Sequence, residues 1–207
     1  MGEISQLLFP ERCVGCSRFT CLLCDECKVE WSGKFINVIE GLSLISSALY
    51  SSNISRIVLR AKENYDSRAR TILARAIATH IVEASTLIPI PSSKSAIRRR
   101  GYDHALLLAQ EVSRLTGSRV WPGLLVNRRI KDQTLLGHTQ RFANLAGAYS
   151  LRGGNYFPQS VVLIDDLVTS GASMREALRT LRAAEISPLQ AISACISSPH
   201  LPNTIRP

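Results

Sequence analysis

The chain has 207 residues, of which 45% are apolar and 20% charged, and its formal net charge is +9. That size supports one core-forming domain with a small appendage, and its interrupted apolar stretches exclude a spanning helix, which needs roughly 18 apolar residues in a row. An excess of 25 Lys and Arg over 16 Asp and Glu favours phosphates, nucleic acid or an acidic membrane surface as partners, against a plain solvated basic face.

Met1 to Pro10 carries Glu3 and lacks a basic start followed by an apolar run. No signal peptide is expected, and a cytoplasmic location is. Residues 1–30 then form a cysteine-rich unit with too few branched apolar residues to build a core. Five of the six cysteines lie between Cys13 and Cys27. In a reducing compartment such a cluster holds a metal more often than a disulfide framework. Cys13-x2-Cys16 and Cys24-x2-Cys27 provide four thiolates in tetrahedral reach, which suits a structural zinc ion replacing the missing core. A redox role needs only one such pair. Cys21 is a fifth thiol that leaves the ligand set slightly open, and Cys195, in an apolar run, is expected to be buried.

Residues 31–52 read as a connection into the main domain, 31–207. Asn53 is the expected N-cap of a helix with Ile54, Ile57, Val58 and Ala61 inward, at i, i+3, i+4 and i+7. Ser67 to Ala84 reads as a second helix, with His80 packed on its inner face rather than catalytic. Thr86 to Pro91 is a buried strand closed by proline. Tyr102 to Leu115 is helical again and Gly117 stops it. Val120 to Val126 reads as a strand, and 127–148 are polar, basic and without a clear pattern. Val161 to Ile164 is a short buried strand, Ser173 to Ala184 a helix, and Ala191 to Ile196 a last strand. Trp31 and Trp121 are expected to pack. This alternation implies an α/β fold, a mainly parallel sheet with flanking helices. Ligands on such sheets bind beyond the carboxyl ends of the strands, here after Ile164 and Ile90.

The segment Val161 to Ser173 has a chemical use for each part. Four apolar residues bury the strand. Asp165 and Asp166 then stand at its carboxyl end, where carboxylates accept hydrogen bonds from sugar hydroxyls. Thr169, Ser170 and Ser173 offer hydroxyls, Gly171 lets the backbone approach an anion, and the following helix start favours a phosphate. Helix capping alone does not need two acids, three hydroxyls and a glycine. A P-loop ATPase needs a glycine-rich loop ending in Gly-Lys-Ser/Thr, and Gly33-Lys34 is followed by Phe35. A second segment, Pro89 to Ser93 with Pro91 and Ser92 at its turn, leads to Arg98, Arg99, Arg100 and Gly101. Three arginines beside a glycine read as a mobile cationic loop suited to a diphosphate, against a solvated basic turn.

Residues 161–173 resemble the phosphoribosyl diphosphate (PRPP) motif of type I phosphoribosyltransferases: apolar strand, Asp-Asp, Thr-Ser-Gly-x-Ser. The resemblance implies that Asp165 and Asp166 hold the ribose hydroxyls and that Thr169, Ser170, Gly171, Ala172 and Ser173 cradle the 5-phosphate. The wider arrangement resembles the ComF family of competence-associated, phosphoribosyltransferase-like proteins, with an N-terminal zinc ribbon, Pro-x-Pro, an arginine-rich segment and the PRPP loop. Thr139 to Tyr149 is similar to a further segment of that family, with Arg141 and Asn144 matching, and Lys62 matches a lysine of its early helix. Two departures stand out. The family's Gly-Phe-Asn-Gln is Gly101-Tyr102-Asp103-His104 here, where Asp103 is placed to capture an arginine of its own loop. The glycine expected after Lys62 is replaced by Glu63-Asn64-Tyr65-Asp66. The resemblance implies a transferase that uses PRPP and magnesium on an unidentified acceptor. Its alternative is a non-catalytic accessory protein of DNA uptake that binds a sugar phosphate or nucleotide and contacts single-stranded DNA or a helicase.

Overall fold

The computed structural model describes residues 11–19, 21–127, 145–153 and 158–197. The cysteine unit contributes a short helix, α1 (Asp25–Val29). A hairpin follows, β1 (Phe35–Ile39) and β2 (Leu42–Leu49), where a mere connection was expected. Its turn is Glu40-Gly41, both with positive φ (51° and 80°), which matches the twist of the flanking strands. Serines hide β2 from a hydrophobicity reading, yet they are satisfied inside. Ser46 Oγ lies 2.6 Å from Ser193 Oγ across the sheet, and Ser47 Oγ donates to Ala76 O at 2.6 Å.

Next come α2 (Ser52–Glu63) and α3 (Ser67–Ala78). The cap of α2 is Ser51, whose side chain accepts from Ile54 N. Asn53 instead donates to Glu30 Oε1 at 2.8 Å. Helix α3 stops six residues short of the expected Ala84, capped by Asp66 at its start. His80 lies beyond it, half-buried, with Nε2 2.9 Å from Ser47 Oγ. Then follow β3 (Thr86–Pro89), α4 (Lys94–Arg100), α5 (His104–Thr116), β4 (Arg119–Val120), β5 (Leu124–Val126), β6 (Tyr149–Leu151), β7 (Val161–Val168), α6 (Ala172–Arg182) and β8 (Gln190–Ile196). Gly117, at φ 71°, ends α5 as expected. The arginine segment is therefore a capped helix rather than a loop. Ser93 Oγ accepts from Ala96 N and Gly101 closes it at φ 80°.

The main sheet has the order β1-β2-β8-β7-β3-β4. Only β1 runs antiparallel to its neighbour; the other pairs are parallel. Strands β5 and β6 form a separate antiparallel pair. Because β7 is covered on both faces, it is apolar throughout its first half and its side chains divide by parity. Val162 and Ile164 join the core under α2, α3 and α5, while Val161 and Leu163 join the core under α6. The first of these cores also includes Cys13, Val14, Leu23 and Cys27. The expected α/β architecture is thus the observed one, and β3 and β7 deliver their carboxyl ends side by side. No helix among the described residues is long and apolar enough to cross a membrane.

Candidate functional site

Strand β7 runs four residues further than its apolar part suggests, through Asp165 and Asp166 to Val168. The two-residue period of a strand throws adjacent carboxylates to opposite faces. Asp165 keeps partial exposure, whereas the side chain of Asp166 is only 3% exposed. Lys62, from the last turn of α2, reaches Asp166 with Nζ 2.9 Å from Oδ2 and 3.1 Å from Oδ1. The first residue of α5 closes on the same carboxylate, with His104 Nε2 3.3 Å from Oδ2. Asp166 Oδ1 also accepts from Leu167 N at 2.8 Å.

The pair is electrostatically unequal. Burial raises the Asp166 carboxyl, but the Lys62 ammonium and then His104 outweigh it and hold Asp166 well below the ordinary carboxylate range. Burial, then the negative charge of Asp166, push Asp165 well above that range. Burial would lower the Lys62 ammonium, and the charges of Asp166 and Asp165 raise it instead. The sheet end therefore carries a buried ion pair with a second, cleft-facing acid beside it.

Beyond β7 the chain turns at Gly171 (φ 73°) into α6. Asp165, Leu167, Val168, Thr169, Ser170, Gly171, Ala172, Ser173 and Met174 enclose a hollow of about 20 Å³ at this helix start. Ala172 N points to Ser170 Oγ at 3.4 Å. A larger cleft, about 430 Å³, opens alongside, and Lys62, Pro91, Ser92, Arg99, Arg100, His104, Asp165, Asp166, Thr169 and Ser173 all line it. So the structure gathers most of the expected site residues, from α2, α4, β7, α6 and the turns that follow β3 and β7, around one opening. Arg98 is exposed and, like Gly101, is not among the residues lining the cleft.

Two residues of the site carried little weight in the sequence reading. Glu63, following Lys62, receives Arg100 Nε at 3.0 Å and Nη2 at 2.5 Å, and Arg99 Nη2 at 3.3 Å. The Arg100 hydrogen bond is the main cause of a lowered Glu63 carboxyl. Asp103, placed by sequence to capture an arginine, caps α5 by accepting from Leu106 N at 3.3 Å. His104 was visible only as an imidazole where the resembled pattern has an amide; its seat against Asp166 comes from the packing of α5. Arg141, Asn144, His138 and His200 lie outside the described residues.

At the other end of the molecule, the sulfurs of Cys13, Cys16, Cys24 and Cys27 all lie within 4.8 Å of one another, with Cys13–Cys24 and Cys16–Cys24 at 3.7 Å. A tetrahedral zinc ion with Zn–S near 2.3 Å separates its sulfurs by about 3.8 Å. The donor set and spacing fit that ion. Cys21 stands apart, its Sγ donating to Leu23 O at 3.1 Å. Cys195 is fully buried behind the acid pair.

Fold and site together define an α/β protein with an acid pair and a glycine-turned, hydroxyl-rich loop at the carboxyl edge of a mainly parallel sheet, joined to a four-cysteine centre suited to a metal such as zinc. No family model matches the chain. It is 34% identical over 110 residues, half of this chain, to "Competence protein F" of Haemophilus influenzae. The resemblance to the ComF family read from the motifs is borne out by this relative, and the chain spans about half of that protein's length (47%). Among solved structures, the chain is similar to one described as that of the allosteric regulatory enzyme of purine biosynthesis, at 22% identity, over 61% of this chain and 25% of the other, with a TM-score of 0.39.

Proposed function

We propose that the chain binds PRPP at the carboxyl edge of the sheet and transfers its phosphoribosyl group to an acceptor not yet identified. The observation that carries this reading is the junction of β7 and α6, where Asp165 borders both the loop hollow and the cleft. A 5-phosphate in the hollow receives the backbone N–H groups of residues 170–173 and the positive end of the eleven-residue helix α6. The ribose then lies against the acid pair, and the diphosphate extends towards Ser92, Arg99 and Arg100. Pro91 and Ser92 shape the turn beneath it, and Arg98 strengthens the basic field from outside the cleft.

The reaction asks the chain mainly for position and charge. The acceptor's nucleophilic atom attacks the anomeric carbon, its bond to the diphosphate oxygen breaks, and diphosphate leaves with the bonding pair. Arginine guanidinium groups offset the charge developing on that leaving group. Magnesium would meet Asp165 as the partly exposed carboxylate here, since Lys62 occupies Asp166. When bound it supplies further neutralisation of the diphosphate. The zinc centre is structural in this reading, and it belongs to the 1–30 unit of a cytoplasmic protein whose main domain is 31–207.

The relative's name favours a second reading, in which the same sugar-phosphate site serves an accessory role in competence, without transfer, and the basic chain contacts single-stranded DNA or a helicase. Calorimetric titration with PRPP and magnesium tests the PRPP site. Saturable binding that an Asp165→Asn/Asp166→Asn variant loses is expected, and diphosphate release in an acceptor screen separates transfer from accessory binding. A wild-type protein that does not bind PRPP overturns the transferase reading.

A further inference from the structure

The two acids of the site face different surroundings, and one residue marks the difference. His104 is 2% exposed, borders the cleft, and has no hydrogen-bond partner at Nδ1 among the described residues. Its Nε2 lies 3.3 Å from Asp166 Oδ2 in a contact that misses hydrogen-bond geometry. Asp103 fixes where His104 stands by capping α5 one residue earlier. On the opposite side Lys62 spans both Asp166 oxygens. Asp165, by contrast, is half-buried and shares the lining of the loop hollow with Ser170 and Ser173.

We propose that His104 is a positioning residue: with Lys62 it clamps Asp166 as a fixed anchor of the site, leaving Asp165 as the carboxylate that meets the ligand's sugar. The inference rests on the sugar-phosphate reading and divides the work of its acid pair. Lys62 and the Leu167 N–H hold the carboxylate on one side, and the imidazole packed against Oδ2 takes up the freedom that remains.

The test uses the full chain with its metal in place. PRPP with magnesium is titrated calorimetrically, inorganic phosphate is followed by phosphorus NMR, and thermal unfolding is measured in parallel. His104→Leu is expected to weaken PRPP about tenfold, while phosphate binding stays within about twofold. His104→Gln, which keeps a donor near Asp166, is expected to recover most of the PRPP affinity. Asp165→Asn is expected to lose PRPP without lowering the melting temperature, whereas Asp166→Asn lowers it. Loss of PRPP and phosphate together in His104→Leu, unchanged PRPP affinity in that variant, or equal destabilisation by the two Asp→Asn changes overturns the inference. If the wild type binds no PRPP, the sugar-phosphate reading fails on its own. The clamp is then decided by unfolding of His104→Leu, Asp166→Asn and their double variant: coupled effects uphold it and additive effects overturn it.

Discussion

The four-cysteine centre and the acid pair are both compact charged sites, but they are assembled in opposite ways. The cysteine centre draws its ligands from fifteen consecutive positions, Cys13 to Cys27, and its geometry is set by two tight knuckles. A Cβ at Gly15 would meet Cys27 Sγ at 3.0 Å, so a side chain there would crowd the facing knuckle. The acid pair is adjacent in sequence, yet its partners come from distant elements: Lys62 from α2 is 104 residues away and His104 opens α5. A local site survives as long as its short segment keeps its turns. A dispersed site exists only while α2, α5 and β7 are packed together. The two sites still share α2, because Arg56 Nη1 donates to Gly15 O at 2.9 Å and Ile57 packs with Cys13 and Cys27 in one core.

Metal removal tests that shared helix most strongly. Structural zinc contributes on the order of 10 kcal/mol in small modules, so stripping it with a chelator, or changing Cys24→Ser, is expected to unfold residues 11–30. Because their apolar side chains belong to the core under α2, the melting temperature of the rest is expected to fall too. Calorimetric scans with and without chelator read this. A main transition unmoved by chelator would show the two sites to be independent.

A smaller effect is expected at the dispersed site. Lys62→Met leaves Asp166 charged and buried with one partner fewer, which costs about 3 kcal/mol by analogy with broken buried pairs. Urea denaturation measures it. Adding Asp166→Asn to Lys62→Met is expected to recover part of that loss, since the stranded charge is gone. Strictly additive losses would mean that Lys62 acts through its hydrocarbon stem alone.

The smallest effect concerns Glu63. Its folded carboxyl is lowered, chiefly by the Arg100 hydrogen bond. Its contribution is therefore fully present above the ordinary carboxyl value of 4.5 and is lost as the pH falls through the folded value. With a third of its side chain exposed, solvent screening limits the contribution to about 0.5 kcal/mol. Glu63→Gln is expected to flatten the acid limb of a stability–pH curve by that amount. An unchanged limb would remove Glu63–Arg100 from the stabilising contacts.

Several elements were legible because their signals are local. The apolar stripe Ile54, Ile57, Val58 and Ala61 is buried as its spacing requires, and Gly117 stops α5 in the left-handed conformation. The β1–β2 hairpin escaped because Ser43, Ser46 and Ser47 dilute β2, although Glu40-Gly41 is a turn signal. Helix α4 escaped because its arginines read as a mobile cationic loop, while its caps, Ser93 and Gly101, were the local sign of order. At the site, Asp165, Asp166 and the loop to Ser173 were visible as a motif. The engagement of Arg99 and Arg100 by Glu63 was not, since an ion pair 36 or 37 residues apart leaves no periodic trace.

By itself the sequence determined the alternating strand–helix pattern, the four-thiol donor set and the acid-then-hydroxyl segment after the central strand. Each follows from neighbouring residues: side-chain periodicity, knuckle spacing and backbone freedom at glycine. Only the tertiary structure decided that Asp166 is buried between Lys62 and His104 while Asp165 keeps partial exposure. The reason is physical. The strand sends adjacent side chains to opposite faces, and which face is filled with charge depends on the helices the sheet brings against it.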